Sequence, residues 1–288
     1  MQAIELFQTS TVTLTVTVFI FGLLIGSFLN VVIFRLPVMM KNSWTIEASE
    51  FLELKVPKLD KINLIKPDST CPKCGHKIRA WENIPVISYL FLKGRCASCK
   101  TGISLRYPTI ELITAGLSAL IAWQFGWSMQ TVYLLAFVWV LISLTMIDFD
   151  TQLLPDSLVL PLLWLGLIAN LSSTFTSLNE AVIGAIAGYL SLWLVYWLFK
   201  LTTGKEGMGY GDFKLFAAFG AWFGWQSLPL IILLSAAVGS VIGIGLILIK
   251  GRDKNIPIPF GPYLCGAALV YIFWGEYITQ WYLGTLQI

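Results

Sequence analysis

Eight apolar runs dictate the kind of fold open to this chain. They lie at about 11–34, 108–125, 133–147, 158–171, 181–199, 215–224, 228–249 and 263–281. A membrane span needs about 20 apolar residues, fewer where flanking side chains reach back to the interface. In lipid, such a run is a helix that satisfies its own backbone. The sixth run is short and is expected to begin nearer Asp212. The first lacks the character of a cleavable signal: no basic segment precedes it and no small-residue cleavage site follows. Charged residues make up only 12% of the 288 residues and hydrophobic ones 57%, whereas a soluble domain carries about 25% charged residues. A water-soluble globule is excluded. The expected fold is an all-α polytopic membrane protein with about eight transmembrane helices. Its 12 Trp and 10 Tyr suit aromatic belts at two interfaces.

The basic residues orient the spans. Thirteen of the 19 fall between the first and second, from Arg35 to Arg106. Lys200, Lys205 and Lys214 lie between the fifth and sixth, and Lys250, Arg252 and Lys254 between the seventh and eighth. Every basic residue thus follows an odd number of spans, which places these loops in the cytoplasm and both termini outside it. A missed span would put basic residues on both sides. The 148–156 connection is cytoplasmic by the same parity.

Residues 36–106 form the one sizeable soluble piece, between a first helix at 1–35 and a seven-helix core at 107–288. It carries Cys71-Pro72-Lys73-Cys74 and Cys96-Ala97-Ser98-Cys99. Two residues between cysteines let both thiolates reach one ion at about 2.3 Å, and four thiolates close a tetrahedral structural zinc site. The 21-residue separation is slightly longer than the usual zinc-ribbon interval. Disulfides are disfavoured by a reducing cytoplasm. His76 is an alternative ligand, but four cysteines already fill the site. Cys265, alone in the eighth run, reads as a small buried apolar residue. Residues 41–66 show no clean helical or strand period, and any helix there should end before Pro57.

Two aspartates stand where a membrane protein would avoid them. Asp148 closes the third apolar run, and Asp212 opens the sixth within Gly207-Met208-Gly209-Tyr210-Gly211-Asp212. A carboxylate at the edge of the hydrocarbon needs a partner or a function. Asp148 ends a helix, where the macrodipole opposes an anion. Asp156, before an apolar helix, reads as an N-cap, and Asp150 as a solvated surface group. The three glycines before Asp212 permit either positive φ or close backbone approach. Alone they would also fit a flexible turn. Glu111, near the start of the second run, pairs with Arg106 or Arg35 or takes an active role. Two carboxylates sharing a site can hold one proton between them. One then acts as base on water while the other donates to a carbonyl oxygen. That is hydrolysis without a metal or a serine nucleophile, and a single His in the soluble loop argues against a Ser-His-Asp site. A transporter would hold its acids nearer the midplane and often shows repeats.

The motifs taken together resemble the bifunctional type IV prepilin peptidases, which are GxGD-type aspartyl membrane peptidases and N-methyltransferases. The resemblance rests on Gly26-Ser27-Phe28-Leu29-Asn30 through Leu36-Pro37, and on both Cys pairs with Trp81-Glu82-Asn83-Ile84-Pro85 between them. It extends to Arg106-Tyr107-Pro108 with Glu111, Ile147-Asp148 through Leu154-Pro155-Asp156, and Gly209-Tyr210-Gly211-Asp212-Phe213-Lys214. It implies a catalytic pair at Asp148 and Asp212. It also implies a bacterial inner-membrane location, and prepilin and pseudopilin precursors as substrates, cut after a leader-ending Gly. The new amine is then methylated from S-adenosylmethionine. The chain has no Rossmann-like domain for that cofactor, so its pocket is expected in the cytoplasmic loop and span ends, with Glu111 and Glu82 as candidate residues.

Overall fold

A computed structural model describes residues 2–250 and 258–286. Arg252 and Lys254, counted above, lie outside the described residues. The fold is all-α. Its helices are α1 (Gln2–Thr9), α2 (Thr11–Phe51), α3 (Ile87–Phe91), α4 (Arg106–Phe125), α5 (Met129–Thr151), α6 (Asp156–Asn170), α7 (Leu178–Thr203), α8 (Tyr210–Phe223), α9 (Leu228–Lys250) and α10 (Gly261–Leu286). Each of the eight apolar runs falls on a single helix to within a residue, though α6 and α8 have only 15 and 14 residues. Among the described residues, four are long and apolar enough to cross a membrane: α2, α5, α7 and the segment Trp225–Leu246. Their apolar residues are not hidden. Only 22% of the most apolar window of α7 is buried, and Val16, Ile20, Leu24 and Phe28 of α2 are exposed. Apolar surface on this scale requires lipid around it.

The chain forms two compact units, residues 1–143 and 144–288. In the first, α2 packs along α4. Gly22 and Gly26 make the close approach: a Cβ on either would lie 2.8 Å from the Ala115 Cα or 2.7 Å from the Glu111 Cα. Small residues one turn apart let helix backbones meet in this way. The helix α2 runs 41 residues, about 60 Å at 1.5 Å per residue. It is therefore far longer than the expected 11–34 span and continues through the weakly periodic 41–51 stretch. Side chains there bond back along the helix, as Thr45 Oγ1 does to Lys41 O at 2.7 Å and Ser49 Oγ to Thr45 O at 2.7 Å. The helix stops before Pro57, as expected. Arg35, buried on α2, donates to Asn63 O at 3.0 Å and Pro67 O at 2.7 Å, which pins the returning chain to the helix.

In the second unit α8 is the central helix. It packs on α6 and α7, and all of Asp212 to Trp222 except Lys214 is buried. Gly184 of α7 and Gly220 of α8 meet backbone to backbone, leaving no room for a side chain on either. Trp222 Nε1 donates to Leu162 O at 2.8 Å, and Asn170 Nδ2 donates to Ala221 O and Trp222 O at 2.9 Å each. The far end of α8 is thereby locked, and its first turn carries Asp212.

Candidate active site

In the second unit, Asp148 lies one turn before the end of α5. The chain then turns through Gln152 at φ +55, with Gln152 N–H donating to Asp148 O at 2.9 Å. Leu154 and Pro155 lead into α6. Leu154 is the wedge that shapes this corner. A Cβ on Gly211 would lie 2.7 Å from Leu154 Cβ, and one on Gly261 would lie 3.2 Å from Leu154 Cδ2. Gly211 is thus required for close approach. Gly209 has φ −84, so positive φ is not what the glycines before Asp212 supply. Asp212 occupies the first turn of α8, where the helix dipole favours an anion. Its Oδ2 accepts from Gly209 N–H at 3.2 Å.

Asp148 and Asp212 are 5% and 7% exposed. They lie close enough for the charge of one to act on the other. The Asp148 carboxyl group also faces the backbone N–H of Gly261, at the start of α10. Its Oδ2 is buried without a hydrogen-bond partner among the described residues. Buried carboxylate oxygens are rarely left in this state, and active sites are among the places where they are. Cys265, one turn into α10, is fully buried beside Thr145 and within the field of both aspartates. It is the small buried residue the sequence suggests.

Asp156 departs from its expected role. The capping position is Pro155, and Asp156 makes no cap bond but sits one residue inside α6. Its two carboxylate oxygens accept from Lys214 Nζ at 2.8 and 2.7 Å. An acid in the first turn is favoured by the dipole without capping, so the carboxylate is free to bridge to α8.

In the first unit the four cysteines converge. Cys71 Sγ lies 3.8 Å from Cys99 Sγ, and Cys74 Sγ lies 4.0 Å from Cys96 Sγ. All four sulfurs fall within 4.8 Å of one another, and none is in a disulfide. Sulfurs bound tetrahedrally at about 2.3 Å would stand about 3.8 Å apart, so the set fits a tetrathiolate metal centre. Two similar turns build it. Cys71 N–H donates to His76 O at 2.9 Å, and Cys96 N–H to Thr101 O at 2.8 Å. Each turn needs a left-handed residue after its second cysteine: Gly75 at φ +70 and Lys100 at φ +58. Backbone N–H groups of Cys74 and Lys73 aimed at Cys71 pull its thiol down to about 6, which readies it as thiolate.

The ligand cluster found among the described residues comprises the four cysteines without His76. His76 Nε2 lies 3.0 Å from Glu82 Oε2, so it is not a ligand. Glu82 Oε2 also accepts Arg79 N–H at 3.0 Å. These contacts, the Arg79 amide foremost, hold the Glu82 carboxyl below its usual range. Glu82 thereby fixes a single 3-10 turn at Ala80–Asn83. Glu111 is buried on α4. It accepts Val86 N–H at 2.8 Å, whereas the guanidinium of Arg35 is taken up by Asn63 O and Pro67 O. Val86 has φ +59 and ψ −47, and Ile87 N–H closes a tight turn onto Pro85 O. A β-branched residue in that conformation stores about 1–3 kcal/mol of strain. Glu82 and Glu111 therefore clamp the two ends of the 80–86 loop. Above them Trp81, Ile84 and Ile87 remain exposed.

Known families match both regions. Residues 20–125 match the bacterial peptidase A24 N-terminal domain, and residues 135–244 match the type IV leader peptidase family. The chain is 57% identical to the prepilin leader peptidase/N-methyltransferase of Pseudomonas aeruginosa, with 91% of each chain covered. It is 55% identical to that of Stutzerimonas stutzeri over 98% of both chains. Against the Legionella pneumophila protein of the same name it is 47% identical, covering 92% of this chain and 93% of the other.

The chain belongs to the type IV prepilin leader peptidase/N-methyltransferase family.

No solved structure gives a significant match. The leader-peptidase segment contains both aspartates, and the N-terminal segment contains the four cysteines, Glu82 and Glu111. Gly261 lies beyond either. Sequence reasoning passed over it, although Gly261-Pro262 at the entrance to an apolar run is a turn signal. The Asp156–Lys214 bridge was also missed, because no sequence spacing links residues on two different helices.

Proposed function

We propose that this protein is a prepilin leader peptidase and N-methyltransferase whose peptidase chemistry is performed by Asp148 and Asp212. The observation that carries this reading is the pair of buried carboxylates at the end of α5 and the start of α8, near enough for the charge of Asp148 to act on Asp212. One carboxylate takes a proton from water as the other donates to the scissile carbonyl oxygen. The substrates are prepilin and pseudopilin precursors. Each has a short basic leader followed by an apolar helix lodged in the bilayer, so its cut site lies at the inner interface. The eight apolar helices span the bacterial inner membrane with both termini periplasmic, supported by the one-sided placement of basic residues. The chain then divides into a first span at 1–35, a cytoplasmic loop at 36–106 and a peptidase core at 107–288.

Cys71, Cys74, Cys96 and Cys99 hold one structural zinc. Four thiolates leave no open position, so the ion folds the loop and takes no part in chemistry. The methyl donor is S-adenosylmethionine, which supplies a methyl group to the amine exposed by cleavage. The loop at 80–91 has the means to hold it. Trp81 presents an indole suited to stacking on an adenine, while Glu82 and Glu111 hold the loop in shape. The test is to incubate purified protein with a prepilin precursor, with and without S-adenosylmethionine, and to weigh the product. Loss of the leader in both, and a further methyl group only with the cofactor, supports the reading. An unchanged precursor in both overturns it.

A further inference from the structure

We infer that Gly261 is a positioning residue for peptide cleavage, orienting Asp148 through its amide and leaving room for the Asp148 carboxylate through its missing side chain. The inference rests on the catalytic reading of Asp148.

It starts from an electrostatic problem. Asp148 stands near the C-terminal end of α5, where the macrodipole opposes a negative charge. The first turn of α10 answers it. Helix starts carry N–H groups without intrahelical partners, and those of α10 can be accounted for one by one. Tyr263 and Leu264 N–H both donate to Phe260 O, at 3.1 and 3.2 Å. Pro262 has no N–H. Gly261 N–H remains, and it is directed at the Asp148 carboxyl group. The positive end of α10 thus offsets the negative end of α5 at the Asp148 carboxylate.

The second observation is steric. A Cβ on Gly261 would lie 2.6 Å from Asp148 Oδ2 and 3.3 Å from its Cγ. Oδ2 makes no hydrogen bond among the described residues, so nothing but the missing side chain at 261 keeps it in place. Any side chain at 261 would have to turn it away. Leu154 Cδ2, at 3.2 Å from the same point, is the lesser conflict.

The experiment is a kinetic and thermal comparison of full-length wild type, Gly261→Ala, Asp148→Asn, Asp148→Ala, Leu154→Ala and the double variants Gly261→Ala/Asp148→Ala and Gly261→Ala/Leu154→Ala. A displacement of about 1 Å at a reacting group can cost about 100-fold in rate. Gly261→Ala should therefore lower the kcat for precursor cleavage about 100-fold with KM within about threefold. Any thermal stability that it loses should be regained on adding Asp148→Ala but not on adding Leu154→Ala. Cleavage by folded Gly261→Ala at the wild-type rate overturns the inference, as does a stability loss that Asp148→Ala fails to restore. Normal cleavage by Asp148→Asn would instead overturn the catalytic reading on which it stands.

Discussion

Lys214 Nζ lies 2.8 and 2.7 Å from the two carboxylate oxygens of Asp156. The pair ties the first turn of α6 to α8 two residues beyond Asp212. It restrains the approach of the Asp212 helix to the corner made by Leu154, but from the water side. The Lys214 and Asp156 side chains are 31% and 53% exposed, so solvent screens the attraction. An exposed pair of this kind contributes about 0.2–1 kcal/mol.

Asp156→Ala and Lys214→Met should each slow precursor cleavage by less than about tenfold, and the double variant should be no worse than either single one. This follows from the small energy of an exposed pair and from the shared interaction. The measurement is kcat/KM for the four proteins. A complete loss on Asp156→Ala alone would give Asp156 a direct part in the chemistry.

Glu111 braces the strained turn at Val86, and its substitution should separate the two activities. Glu111→Gln keeps an oxygen that can accept Val86 N–H and should retain most methylation. Glu111→Ala leaves a buried N–H unsatisfied, at a cost of about 1–3 kcal/mol. It should lower methylation of a peptide already beginning at the mature residue by about tenfold or more. Cleavage should fall less. Equal loss of both activities in Glu111→Gln would rule out a bracing role.

The cysteine cluster should yield one zinc per chain by elemental analysis. Cys74→Ser should lose it, make residues 67–103 sensitive to protease, and reduce methylation at least as much as cleavage, because metal-binding energy in so small a module is folding energy. Protein purified without metal, or Cys74→Ser with no zinc and full methylation, would contradict this account.

Much of this was legible in the sequence, and the failures have physical causes. Each apolar run became a helix because burial in lipid leaves the backbone no other partner. The knuckles were legible because thiolate spacing is a local property. The 41–51 stretch hid its helix because nothing along it demands a buried stripe. Its continuation rests on local backbone bonding, as at Thr45 and Ser49, and periodicity cannot report that. Asp156 looked like a cap because position alone was visible; Lys214 is 58 residues away. Glu111 was expected to pair with Arg106 or Arg35 or to take an active role, but its carboxylate accepts the Val86 N–H, which no charge pattern reveals. Gly261 reaches Asp148 from 113 positions further along the chain, and only the folded corner brings them together.

The topology has a direct check. Ser172, exposed between α6 and α7, should react as Ser172→Cys with an impermeant thiol reagent in intact cells. Lys205→Cys, between α7 and α8, should react only after lysis. The reverse pattern would contradict the proposed orientation, which puts both aspartates at the cytoplasmic face.

The central claim is that Asp148 and Asp212 form one hydrolytic pair, and cleavage by Asp148→Asn and Asp212→Asn tests it most directly. Purified wild type and both variants are incubated with a prepilin precursor, and the products are weighed. Both variants should remain folded in detergent, leave the precursor intact, and still methylate a supplied peptide that begins at the mature residue. Near-normal release of the leader by either variant would contradict the account.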